Sequence, residues 1–167
     1  MCVLCKEDLI NYMITKHRRD FNEEISPIKL QKGLYFLYAY WGGKIRKSQF
    51  IITNDEIPEM TEMGFSHYDP HLFDADFEAW AYGPVDRDVY IWFKNLGTNI
   101  KDIEQYTLTN DEYVLGYVDD LLDRIFNSND FGLVDLSHDD RCWRDIFDPN
   151  KKNKMDNERI INEYTYK

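Results

Sequence analysis

Residues 26–43 read Ser26-Pro27-Ile28-Lys29-Leu30-Gln31-Lys32-Gly33-Leu34-Tyr35-Phe36-Leu37-Tyr38-Ala39-Tyr40-Trp41-Gly42-Gly43, and this stretch decides the fold class. Ser26 before Pro27 is a helix start. The serine hydroxyl satisfies a backbone N–H of the first turn, and proline takes the first helical position, where its missing N–H is not needed. Leu30, Leu34, Leu37, Tyr38 and Trp41 then recur at i, i+4, i+7, i+8 and i+11, which builds one apolar face. Gly42-Gly43 reads as the end of this helix. Gly33 lies inside it at a cost of about 1 kcal/mol against alanine, which points to close approach of a neighbouring helix.

Upstream, Glu7 to about Lys16 reads as a first helix, with Leu9, Ile10, Met13 and Ile14 on one stripe. Downstream, Gln49 to Thr53 reads as a short strand. Residues 54–71 have no strong period and contain Pro58, Gly64 and Pro70, an excursion with room for one short helix. Phe77, Ala79 and Ala81 alternate with Glu78, Trp80 and Tyr82, so an extended segment runs into Gly83-Pro84 with its two sets on opposite faces. A helix is expected from Pro84, with Val85, Val89, Trp92, Phe93 and Leu96 inward and Gly97 closing it. Thr109 and Glu112 match a capping box that opens a helix to about Phe126, with Leu115, Val118, Leu122 and Ile125 on one face. Short helices follow at Leu133–Ser137 and Arg141–Phe147, the second stopped by Asp148-Pro149. Lys151 to Lys154 reads as a frayed basic piece, and Asp156 caps a last helix through Ile160 and Ile161 towards Tyr164. With no repeat and no linker, the expected fold is mainly α: a compact single-domain helical bundle over residues 1–167, with a small extended β element in the middle.

Composition narrows the function classes. Of 167 residues, 20 are Lys or Arg and 31 are Asp or Glu, a net charge of −11. Such a chain repels a phosphate backbone, which disfavours nucleic acid as a partner and favours a basic protein, or a site built for nucleic acid. No apolar run approaches the roughly 20 residues that span a bilayer, and none forms a signal-peptide core, so a cytoplasmic location without membrane contact is expected. Three cysteines, an odd count, read as reduced thiols rather than a disulfide framework. An aromatic content of 16% serves a core and also raises the prospect of a recognition surface.

Catalytic chemistry is hard to find. Cys2-x-x-Cys5 has half of a zinc spacing; His17 and a further distant residue would have to complete it, and no second pair exists, so no metal site is expected. His138 and Cys142 are four apart, as a Cys–His dyad on one helix would be, with Asp139, Asp140 and Asp145 nearby; helix-cap and packing roles are the plainer reading. His67 and His71 share that spacing, but Pro70 between them argues against a helix. No P-loop, G-x-G-x-x-G, G-x-S-x-G or H-E-x-x-H is present. The basic clusters Lys16–Arg19 and Lys44–Lys47 read as solvated helix ends. The expectation is a protein without catalytic residues, metal or cofactor.

Three blocks of the sequence resemble the Panacea domain family, which takes in the phage-associated protein GepA and SocA-like antitoxins. The first is Leu30-Gln31-Lys32-Gly33-Leu34-Tyr35-Phe36, continuing through Tyr38, Ala39 and Tyr40. The second and most specific is Leu72-Phe73, then Phe77-Glu78-Ala79-Trp80-Ala81-Tyr82-Gly83-Pro84-Val85 and Val89-Tyr90. The third is Leu136-Ser137-His138 with Trp143 and the closing helix around Ile160 and Tyr164. The resemblance covers most of residues 7–164. It implies a compact helical fold, no catalysis, and an antitoxin-like role in binding and neutralising a protein toxin, in some members as an adaptor to a Clp-type protease. The alternative is a phage-encoded inhibitor that blocks the nucleic-acid channel of a host defence nuclease; a Cys–His enzyme and a DNA-binding autoregulator rank below both.

One segment departs from the family pattern. Residues of about 46–71 look like an insertion, with Glu56, Glu59 and Glu62 among Ile57, Met60, Met63 and Phe65. It reads either as an adaptable contact surface or as a surface loop with its own small cluster. The expected partner-binding residues are therefore Glu56, Glu59, Met60, Glu62, Met63 and Phe65 from this segment, with Trp80 and Tyr82 from the second block.

Overall fold

The computed structural model describes residues 2–55, 67–104 and 107–167. The elements are α1 (Lys6–Phe21), α2 (Pro27–Asp55), β1 (Phe77–Trp80), β2 (Gly83–Asp86), α3 (Arg87–Leu96), α4 (Glu112–Phe126), α5 (Asp130–His138), α6 (Arg141–Arg144) and α7 (Asn157–Thr165), with a 3-10 turn over Gly97–Asp102. The fold is mainly α with one small antiparallel hairpin, as the sequence predicts.

The axis is α2. Ser26 Oγ accepts from Lys29 N at 3.0 Å, the cap expected of it. Leu30, Leu34, Tyr35, Leu37, Tyr38, Ala39 and Trp41 are all buried, more than a single stripe, because α1, α4, α5, α7 and β2 surround the helix. Gly42 and Gly43 do not end it. The helix continues to Asp55 and takes in residues 49–53, which the sequence suggested as a strand. The two glycines instead let α7 cross. A Cβ on Gly42 would lie 2.5 Å from Ile161 Cγ1, and one on Gly43 would lie 2.5 Å from the Tyr164 backbone. Gly33 serves the same purpose against Met13 of α1, as expected.

In the hairpin, Phe77 pairs with Asp86 and Trp80 with Gly83, which leaves Ala81 and Tyr82 as the turn. Gly83 has φ +103°, a conformation that favours glycine. Pro84 belongs to β2 rather than to a helix start; α3 begins at Arg87, with Asp86 as the cap accepting from Val89 N at 3.2 Å. Val85 and Val89 are buried, but Trp92 is exposed and Phe93 and Leu96 only half-buried, because α3 lies at the edge of the molecule. The free edge of β1 is taken by the segment expected to fray. Ala79 N donates to Asn153 O and Phe77 O accepts from Met155 N, both at 2.8 Å.

Other local readings shift by a residue or two. Asp111, not Thr109, caps α4: its Oδ1 accepts from Tyr113 N at 3.0 Å and Val114 N at 3.1 Å, while Thr109 Oγ1 accepts from Asp111 N. Helix α6 stops at Arg144, short of the expected Phe147. Asp156 caps α7 as predicted, accepting from Glu158 N. Lys16 is not solvated, and Arg18 is only partly so. Lys16 is buried between Asp20 and Asp123, each at 2.9 Å, and Arg18 donates to the carbonyls of Ile100 and Ile103. Among the described residues no helix is long and apolar enough to cross a membrane.

Candidate protein-binding surface

The two faces of the β1–β2 hairpin have different chemistry. The inner face is closed by α2. Gln31 exchanges two bonds with Asp86: its Nε2 donates to Asp86 O at 3.1 Å and its Oε1 accepts from Asp86 N at 2.9 Å. Next to it, Lys32 is almost fully buried and its Nζ donates to Pro84 O at 2.8 Å. No carboxylate pairs with Lys32 among the described residues, and burial lowers its pKa to about 7. A Cβ at Gly83 would meet both Lys32 and Ser137 of α5. The Asp86 carboxylate is held in turn by Lys6 at 2.8 Å. Backbone groups that a hairpin edge would leave open are thus satisfied by side chains.

A second polar network fixes what stands behind the hairpin tip. Asp140 is fully buried; its Oδ2 accepts from Tyr35 and Tyr164 hydroxyls at 2.6 Å each, and its Oδ1 meets Lys167. Burial, the largest cause for both, pushes the two phenols upward; the Asp140 carboxylate comes next for Tyr164, while for Tyr35 it follows the neighbouring Tyr164 and Cys142, so both phenols remain donors. Glu163 accepts from Arg141 N and Cys142 N at 3.0 and 2.8 Å, which caps α6. This places Trp143 so that its indole donates to Trp80 O at 2.9 Å, while His138 meets Ala81 O at 2.9 Å. His138, Trp143 and Phe147 stack in series at 4.2 and 4.7 Å between centroids.

The outer face is left open. Trp80 is half-buried; its indole donates to Glu78 Oε1 at 2.9 Å, its ring meets Tyr90 edge-on at 5.0 Å, and Lys152 Nζ lies 3.9 Å from its centroid. Tyr82 at the tip is 60% exposed and touches Phe131 of α5, also 60% exposed. Large aromatics held on rigid elements and partly exposed are what protein interfaces use as anchors. The alternation in the sequence puts the two sets on opposite faces without saying which is core; the structure buries Phe77 and Ala79 and leaves Glu78 and Trp80 half-buried, and the alternation ends at Ala81, which is in the turn and exposed. Phe131 escaped the sequence reading. Its only signal was an aromatic side chain in the first turn of a short helix, away from the buried Leu133, Val134 and Ser137.

The other candidate residues are not assembled into chemistry. His138 bonds a backbone carbonyl and stacks on Trp143, whereas Cys142 is buried against Tyr35, with its thiol pushed up to about 12 by burial. Cys5 and His17 stand at the start and in the last turns of α1, about 18 Å apart at 1.5 Å per residue. Asp140, Cys142 and Glu163 do bring ligand atoms within 4.8 Å of one another. Their oxygens are already committed to two phenols, an ammonium and two backbone N–H groups, so the donor set does not suit a metal ion. His67 is exposed, and His71 is bracketed by Asp69 at 2.8 Å and Glu158 at 3.2 Å. Glu56, Glu59, Met60, Glu62, Met63 and Phe65 lie outside the described residues.

A family model described as antitoxin SocA-like, Panacea domain, matches residues 59–144. The match begins within the 46–71 segment and takes in the hairpin, α3, α4, α5 and α6. No curated protein and no solved structure matches the chain.

Proposed function

The chain belongs to the SocA-like antitoxin family that carries the Panacea domain, and from that premise we propose that it neutralises a protein toxin by direct, stoichiometric binding through the outer face of the hairpin. The observation that carries this reading is the pair Tyr82 and Phe131, each 60% exposed, beside Trp80 on a scaffold buttressed from behind. Exposed aromatics of this size otherwise cost solubility without return. Glu56, Glu59, Met60, Glu62, Met63 and Phe65 are proposed as a second contact set that tunes partner choice, since charge at a rim acts on association and apolar anchors on dissociation. An adaptor role, passing the bound toxin to a Clp-type protease, is compatible with the same surface.

The test is co-expression with the product of the neighbouring gene. The antitoxin reading predicts that this product arrests growth alone, is silenced by the chain, and co-purifies with it. A harmless neighbour would sink the reading. Deleting most of residues 54–68, but keeping Tyr68, which packs on Trp41 and bonds Asp111, should weaken the complex and leave the fold intact; unchanged binding would remove that segment from the interface. The net charge of −11 favours one other reading, occlusion of the basic channel of a defence nuclease. Equal phage plating with and without the gene, in hosts that carry the defence, would exclude it.

A further inference from the structure

The charge of the whole chain and the charge beside Trp80 have opposite signs. Residues 141–154 carry five cations, Arg141, Arg144, Lys151, Lys152 and Lys154, against two carboxylates, Asp145 and Asp148. The fold ties the end of this segment to the outer edge of β1 through the bonds of Ala79 with Asn153 and of Phe77 with Met155, and its start through the Trp143 indole on Trp80 O, and it sets Lys152 over the Trp80 ring at 3.9 Å. Both carboxylates are engaged, Asp145 by Arg159 and Asp148 by Asn150 N at 2.8 Å. Lys154 pairs with Asp76 at 2.9 Å. Arg141, Arg144, Lys151 and Lys152 are exposed, and among the described residues no carboxylate pairs with them.

We infer that this patch, with Trp80 and Tyr82, docks an acidic peptide segment of a protein partner. The inference rests on the hairpin reading and gives it a partner chemistry opposite to the one net charge suggests. Cations rimming an aromatic anchor attract and orient carboxylates, while the ring takes the apolar side chain between them. A nucleic acid fits less well. Glu78 is bonded to the Trp80 indole, the cations are few, and the remaining surface is acidic.

The test is a 15N NMR titration of the whole chain with an octapeptide of six Glu, one Phe and one Leu, beside its lysine counterpart and a single-stranded DNA oligonucleotide. The acidic peptide should move the Trp80 indole and the amides of Ala81, Lys151 and Lys152 saturably, and the lysine peptide should not. Lys152→Glu with Arg144→Glu should weaken binding about tenfold, as should high salt. Lys151→Glu with Arg144→Glu spares the Trp80–Lys152 contact and should act in the same direction. Absent shifts, shifts centred elsewhere, indifference to both charge reversals, or tighter binding of the oligonucleotide would each overturn the inference. If Tyr82→Ala and Phe131→Ala still release the neighbouring gene's product in that event, the hairpin reading survives and only its acidic partner is lost.

Discussion

The inner and outer faces of one hairpin differ in almost every physical respect. Inward, Phe77 and Ala79 are fully buried, and Gln31, Lys32 and Lys6 bond β2 and its terminal Asp86. Outward, Trp80 is half-covered and Tyr82 touches little beyond Phe131. β2 is buried throughout, whereas β1 and the turn hold both a set of positions that the fold needs and a set that it does not need. Side chains on the first set should answer to stability measurements and those on the second to binding measurements.

The sharpest way to break that division is at the inner network. Asp140→Ala removes the acceptor of Tyr35 and Tyr164 and the counter-charge of Lys167 at a fully buried site. A loss of about 3 kcal/mol is expected in urea denaturation. A loss near zero would mean that the network merely decorates the core. Gly43→Ala should follow at about 2 kcal/mol, because the new methyl meets the Tyr164 backbone, which has no rotamer with which to yield.

Lys32 sharpens the comparison through pH. Its ordinary pKa of 10.5 falls to about 7 on burial. Between those values the unfolded chain binds the extra proton, so stability rises as pH rises through this window, and below it the full burial penalty remains. Measured against Lys32→Met, the wild type should gain about 1.4 kcal/mol per pH unit between about pH 8 and 10. Parallel profiles for the two proteins would show that the amine is not neutral in the fold. Smallest of the inner effects, Asp111→Ala should cost about 1 kcal/mol as the loss of a helix cap, and Thr109→Ala only a few tenths. The reverse order would return the cap to Thr109.

Much of this architecture is written locally. Ser26-Pro27 and Asp156 announce their helices because a cap acts within three residues. The alternation over residues 77–80 announces β1 because a strand's period is two. What escapes the sequence depends on distant contacts. Gly42-Gly43 has the form of a helix end and becomes a crossing point only because Ile161 and Tyr164 return there. Nothing local marks Lys32 as buried; only β2, returning from 52 residues on, covers it. Lys151 and Lys152 read as a loose tail until Asn153 and Met155 bond β1. Trp80 and Tyr82 entered as candidates through the block that resembles the family, whereas Phe131 and Lys152 come beside them only in three dimensions.

The measurement that bears most directly on the division is made on Tyr82→Ala combined with Phe131→Ala. The double variant should unfold within about 0.5 kcal/mol of the wild type, since neither ring is part of the core. It should bind the neighbouring gene's product at least about tenfold more weakly and fail to restore growth beside it. Undiminished binding by the folded variant would contradict the account and move the interface away from the hairpin.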